Sequence, residues 1–177
     1  TFVALATSRG WHECGRLHEQ SAGRLKPLAI LTAALVFAQY VLGGTLRHLG
    51  MSLYEHIALA ALVLIAVCVL VVAALLNGSP WLRRPACLLL ALVIAQVLLG
   101  AAAFVTKFGF APSGYVAVHN STPQTLFRTA HTVTGMFLFS ASVLLAARVF
   151  RIDSLSRRAV AAETPAVVDS VVKGVAL

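Results

Sequence analysis

Two histidines stand at repeated positions in this chain, each downstream of a glutamine and a leucine-glycine pair. The first copy reads AQYVLGG over Ala38–Gly44 and leads to His56 in YEHIALAAL. The second reads AQVLLGA over Ala95–Ala101 and leads to His131 in RTAHTVTGM. Each copy crosses two apolar stretches of membrane-spanning length. An ionisable side chain inside a bilayer is costly and usually has a task. Neutral imidazole is an axial ligand to haem iron. Two histidines at one depth on facing helices would hold a single iron from both sides, six-coordinate and low-spin. The pattern therefore predicts one b-type haem, ligated by His56 and His131.

The neighbouring residues suit a flat apolar ligand. Gly43, Gly44, Gly100, Ala101, Ala60 and Gly135 would let the backbone approach a macrocycle, although small residues also mediate plain helix packing in membranes. Gln39, Gly43 and Arg47 recur at four-residue intervals and share one helix face. Arg128 precedes His131 by three and shares its face. Haem propionates are anionic, so Arg47 and Arg128 at the outer rim are candidate partners; the alternative is that both snorkel to the interface. Gln39 and Gln96 are expected to hydrogen-bond across helices. His48 and His119 fall outside the spans and read as water-exposed, and His12 and His18 form no second pair.

These residues need helices to position them. The chain has 177 residues, 59% hydrophobic and 11% charged, which excludes an ordinary soluble domain. Four uncharged stretches, Pro27–Leu46, Ile57–Leu76, Pro85–Thr106 and Thr129–Ala147, reach the roughly 20 residues a helix needs to cross a bilayer. Spanning segments satisfy their backbone groups internally, so the fold class is all-α. Asn77-Gly78-Ser79-Pro80 separates two hairpins, and the repeat makes them two copies of one unit. Residues 1–26 are a segment ahead of the bundle, 27–150 the four-helix domain and 151–177 a tail. TFVALAT at the start reads either as the end of an earlier helix or as a plain N-terminal segment. The tail holds a Pro165 break and a weak amphipathic pattern over Val167–Val175, which hints at a partner surface.

The net charge of +8 is a matter of topology rather than of nucleic-acid binding. Eleven basic residues lie on the side of the termini and three (Arg47, Lys107 and Arg128) on the other. The positive-inside rule puts both termini in the cytoplasm, as in an integral multi-pass protein of a bacterial inner membrane. Cys14, Cys68 and Cys87 show no CxxC or zinc spacing and read as free thiols. The connection Lys107–Gln124 is 18 residues longer than its counterpart in the first hairpin. It reads either as a cap over the site or as a surface connection.

Taken together, AQYVLGGTLRH, YEHIALA, AQVLLGA and TAHTVTG resemble the haem A synthase family, which converts haem O to haem A for terminal oxidases. The resemblance covers Leu31 to about Phe150, one half of the family's two similar four-helix halves. It is nearest to the C-terminal half, which holds a b-type haem cofactor. It implies a second four-helix domain or other membrane subunits as partners, besides the lipid bilayer. There are departures. The long first outer loop with its cysteine pair is absent, and Ile57 stands where an arginine commonly follows the histidine. The family's Glu-x-x-His motif has no match, because Glu55 is adjacent to His56. The expectation is a cofactor half of a haem A synthase-like oxidoreductase, not catalytic alone. The alternative is a non-catalytic cytochrome b-type subunit for electron transfer or structure in a larger respiratory or photosynthetic complex.

Overall fold

In the computed structural model the chain forms four long helices, each long and apolar enough to cross a membrane. Residues 22–175 are described, with side chains over 23–158 and at Ala161. The expectations for residues 1–21, Cys14 included, and for the side chains of the tail lie outside the described residues. Helix α1 spans Lys26–Leu49, after a short 3-10 turn at Ala22–Leu25. Helix α2 spans Leu53–Leu76, α3 Pro80–Phe108 and α4 Thr122–Val175. The chain is thus an all-α, multi-pass membrane protein built on a four-helix bundle.

The helix boundaries follow from local chemistry. Pro27 and Pro80 stand in the first turns of α1 and α3, where a missing N–H costs nothing. Helix α1 ends with Arg47 and His48 in its last turn and Gly50 at φ 70° beyond it. Helix α2 stops before Gly78, also at positive φ (75°). Each helix packs on its neighbours in chain order, and α1 closes the ring against α4. Helices α2 and α4, which carry the histidines, therefore face each other across the diagonal.

Helix α3 starts five residues earlier than the sequence predicts and takes Arg83 and Arg84 into its first turns. Pro85 then lies inside the helix and cannot donate to the carbonyl of Trp81, four residues back. Arg148 of α4 donates to that carbonyl at 2.8 Å, with its guanidinium 4.9 Å from the Trp81 ring centre. A side chain of α4 thus takes the hydrogen bond that proline removes.

Helix α4 does not end at Phe150. Ile152 is buried and Asp153 is 1% exposed. Asp153 pairs with Lys26 at the start of α1 and with Arg157 at 3.0 Å. The packed body therefore extends past the predicted limit of the span, because the carboxylate finds two cations there. The backbone also stays helical through Pro165, where the sequence predicts a break.

The apolar core occupies one end of the bundle. Leu25 of the 3-10 turn and Ala29 and Val36 of α1 meet Val63, Val67, Leu70, Val71 and Ala74 of α2. Leu82, Ala86, Leu89 and Val93 of α3 and Leu138, Ala141, Leu145, Val149 and Ile152 of α4 complete it. Among the described residues, every buried apolar side chain lies on the terminal side of Gln39, Ala60, Gln96 and Gly135. Beyond that level, contacts between helices include those of Gln39, Gly43 and His56 and of Gln96, Gly100 and His131.

Candidate functional site

The site begins one turn beyond the last core layer, formed by Val36, Val63, Val93 and Leu138. His56 lies in the first turn of α2, with its backbone N–H donating to Ser52 at 3.0 Å. His131 lies more than two turns inside α4. Their rings meet near the bundle centre, with centroids 6.3 Å apart and planes at 76°. Both are partly buried.

Each histidine is held by the glutamine of its own repeat. Gln39 Nε2 donates to the backbone carbonyl of His56 at 2.9 Å and lies 3.1 Å and 3.2 Å from its Nδ1 and Nε2. That carbonyl contact identifies the amide nitrogen as the atom facing His56, since two oxygens would repel there. In the second repeat Gln96 Nε2 lies 3.3 Å from His131 Nε2. His131 Nδ1 lies 3.2 Å from the backbone carbonyl of Gln96. A carbonyl can only accept, so Nδ1 carries the proton and Nε2 keeps its lone pair.

The glycines make these contacts possible. A Cβ at Gly43 would stand 3.3 Å from His56 Cε1, and one at Gly100 would stand 3.1 Å from His131 Cε1. A Cβ at Gly135 would stand 3.1 Å from Gln96 Nε2. Gly43 and Gly100 thus receive imidazole edges, and Gly135 receives the amide of Gln96. The glutamine-leucine-glycine spacing of four residues puts each glycine one turn beyond its glutamine, on the same face. At Gln96 the missing side chain of Gly100 exposes the carbonyl that His131 reaches.

At the rim, Arg47 donates from Nη1 to the hydroxyl of Thr132 at 3.3 Å and so bridges α1 to the residue beside His131. Thr132 also donates to the Arg128 carbonyl at 2.9 Å. Thr132 escaped the sequence reading; its signal was its place one turn beyond Arg128, next to the histidine. Among the described residues, no carboxylate pairs with Arg47 or Arg128. Glu55 is exposed. His48 and His119 are exposed, and Cys68 and Cys87 are free. The connection between α3 and α4 folds as a short turn, with Phe110 N–H donating to Tyr115 at 3.0 Å. Its stretches 110–116 and 118–120 are exposed. Gln124 anchors its far end by accepting from Asn120 N–H at 2.9 Å.

The spacing of the two rings is compatible with a single metal between them. An imidazole nitrogen bonds a metal at about 2 Å. The ring centre lies roughly 1 Å behind it, given C–N bonds of about 1.33 Å. Two rings in line across one metal would place their centres about 6 Å apart; the rings here have that separation, with each Nε2 facing the amide nitrogen of its own glutamine. Among the described residues, no group of three or more His, Cys, Asp or Glu converges. Gln39 Oε1 and Gln96 Oε1 are buried without a hydrogen-bond partner, so the polar complement of the site is incomplete within the protein. Comparisons with protein-family models, curated proteins and solved structures return no match for this chain.

Proposed function

We propose that this chain is a membrane haem b protein that handles electrons and resembles the cofactor half of haem A synthase. The observation that carries this reading is the His56–His131 pair, 6.3 Å apart on diagonal helices beyond the end of the apolar core. Haem b bound there would supply a one-electron couple. His56 and His131 would be its ligands. Gly43 and Gly100 seat the imidazoles, and Gln39 and Gln96 orient them. Arg47 and Arg128 offer cations to the propionates at the rim. The layer of Val36, Val63, Val93 and Leu138 closes the site on the terminal side. Both termini lie in the cytoplasm of a bacterial cell, and a second four-helix domain or other membrane subunits complete the assembly.

The test is the reduced absorption spectrum of the purified protein. It is expected to show a low-spin haem b, lost or converted to another spin state in His56→Ala and His131→Ala. A spectrum unchanged in both variants would falsify the assignment.

Catalysis by this chain alone is not part of the proposal. Both histidines would be taken up in holding the haem, and Glu55, the one acid near the site among the described residues, is exposed. This favours an electron-transfer or structural subunit over a complete synthase. Expression in cells that make haem O but lack the synthase is expected to leave haem O unconverted. Extraction of haem A or its hydroxylated precursor would overturn that view.

A further inference from the structure

The connection between α3 and α4 has the wrong surface for a segment lying in water. The 20 residues from Phe108 to Phe127 include no Asp, Glu, Lys or Arg. Phe108, Phe110, Tyr115, Val116 and Val118 are all exposed, Val116 at 79% and Val118 at 62%. Ala117, between the two valines, is half-buried. The segment is held against the end of α3. A Cβ at Gly109 would stand 3.0 Å from the Tyr115 carbonyl oxygen and 3.6 Å from the Ala117 nitrogen. Phe110 N–H donates to Tyr115 at 3.0 Å, Ser113 N–H to Phe110 at 3.1 Å and Gly114 N–H to Ala111 at 3.0 Å. The turn therefore satisfies these backbone groups internally while it presents apolar side chains outward.

Two features identify lipid as what covers them. The first is continuity. Phe104 and Phe108, with ring centres 4.9 Å apart, are exposed on the last two turns of α3, a helix apolar enough to cross a membrane. That lipid-facing surface runs on along the chain into Phe110. Lys107 Nζ stands 5.0 Å from the centre of the Phe108 ring. A lysine in that place marks the headgroup level, because its stem stays apolar while its ammonium reaches water. The second feature is that the apolar exposure is not confined to one flank. The α1–α2 connection, at the same end of the bundle, exposes Leu49, Met51 and Tyr54. A docked protein covers one flank, whereas a bilayer surrounds the bundle.

We propose that residues 108–118 are seated in the interfacial layer of the bilayer, with Phe110, Val116 and Val118 against the upper acyl chains and Tyr115 among the headgroups. Aromatic and apolar side chains partition into this layer. The layer is wet, so Ser113 in the turn stays open to water-soluble reagents. His119 and Asn120, both exposed, bring the chain back to water before α4 begins. The connection is thus a membrane anchor rather than a cap over the histidines. The inference is independent of the haem reading and of which face of the membrane is cytoplasmic.

The test is the depth of nitroxide labels on the full chain in vesicles of phosphatidylcholine and phosphatidylglycerol. In a background of Cys14→Ser, Cys68→Ala and Cys87→Ala, single labels are placed through Val116→Cys, Val118→Cys, Asn120→Cys and Ile94→Cys. Ile94 is exposed midway along α3 and serves as the deep reference. Each label is read by its collisions with oxygen, which concentrates among acyl chains, and with a water-soluble nickel chelate. The oxygen-to-nickel ratio at positions 116 and 118 is expected several-fold above that at 120 and below that at 94. Ratios at 116 and 118 equal to that at 120 would put the connection in water and overturn the inference. Exclusion of both reagents from 116 and 118 would also overturn it, since the surface would then be covered by protein, such as a second copy of this chain.

Discussion

At the scale of single residues, the glycines carry more specific information than their number suggests. Gly44 has no neighbour within 4 Å of a notional Cβ, whereas Gly100 faces the His131 ring at 3.1 Å. Contacts near 3 Å between a Cβ and a ring carbon force one of them to move. Gly100→Val is therefore expected to push His131 off the Gln96 carbonyl and cut bound haem several-fold. Gly44→Ala should leave it unchanged. The haem-to-protein ratio after purification measures both, and equal loss in the two variants would show that the glycines serve only general packing. The sequence could name these glycines but left them between ligand approach and helix packing. What touches a glycine is set by a residue on another helix.

At the scale of elements, Pro85 and Arg148 form a unit. Proline inside α3 orphans the Trp81 carbonyl, and Arg148 of α4 satisfies it. Removing the partner of a buried acceptor costs about 1–3 kcal/mol. Arg148→Ala should lower the thermal midpoint accordingly. In a Pro85→Ala background the helix supplies its own N–H to Trp81, and the same substitution should cost clearly less. A double-mutant cycle measures that coupling; additive effects would mean that Arg148 does not act through the Trp81 carbonyl. Helix α4 makes a similar point at Asp153. The sequence reading ended the span near Phe150 because charges begin there, yet Lys26 and Arg157 make the carboxylate a packing residue. Pairing across α1 and α4 is invisible to hydropathy.

At the scale of the whole molecule, the buried apolar side chains lie at one end of the bundle and the glutamine–histidine contacts at the other. The proposed topology puts the packed end and both termini on the cytoplasmic side, from the eleven-to-three distribution of basic residues. Cysteines introduced at Ser8 and Ser156 should react with an impermeant reagent only from the cytoplasmic side, and one at Ser113 only from the other. Labelling of position 113 from the cytoplasm would invert the molecule. Such an inversion would leave the geometry of the histidine pair intact, because depth and facing are properties of the bundle alone.

The sequence by itself determined four apolar helices in two hairpins, since span length and the Asn77–Pro80 break are local properties of the chain. It also determined that His56 and His131 lie at one end of the bundle, because helices α2 and α4 must run in the same direction. Only the tertiary structure decided that these two helices are diagonal, that the rings come within 6.3 Å, and that each glutamine grips the histidine of its own repeat. It alone separated the two repeats, giving His131 a backbone acceptor that His56 lacks. The reason is physical. Periodicity reports which face of a helix is apolar, but ångström-scale differences between equivalent positions arise from how neighbouring helices rotate and settle against one another.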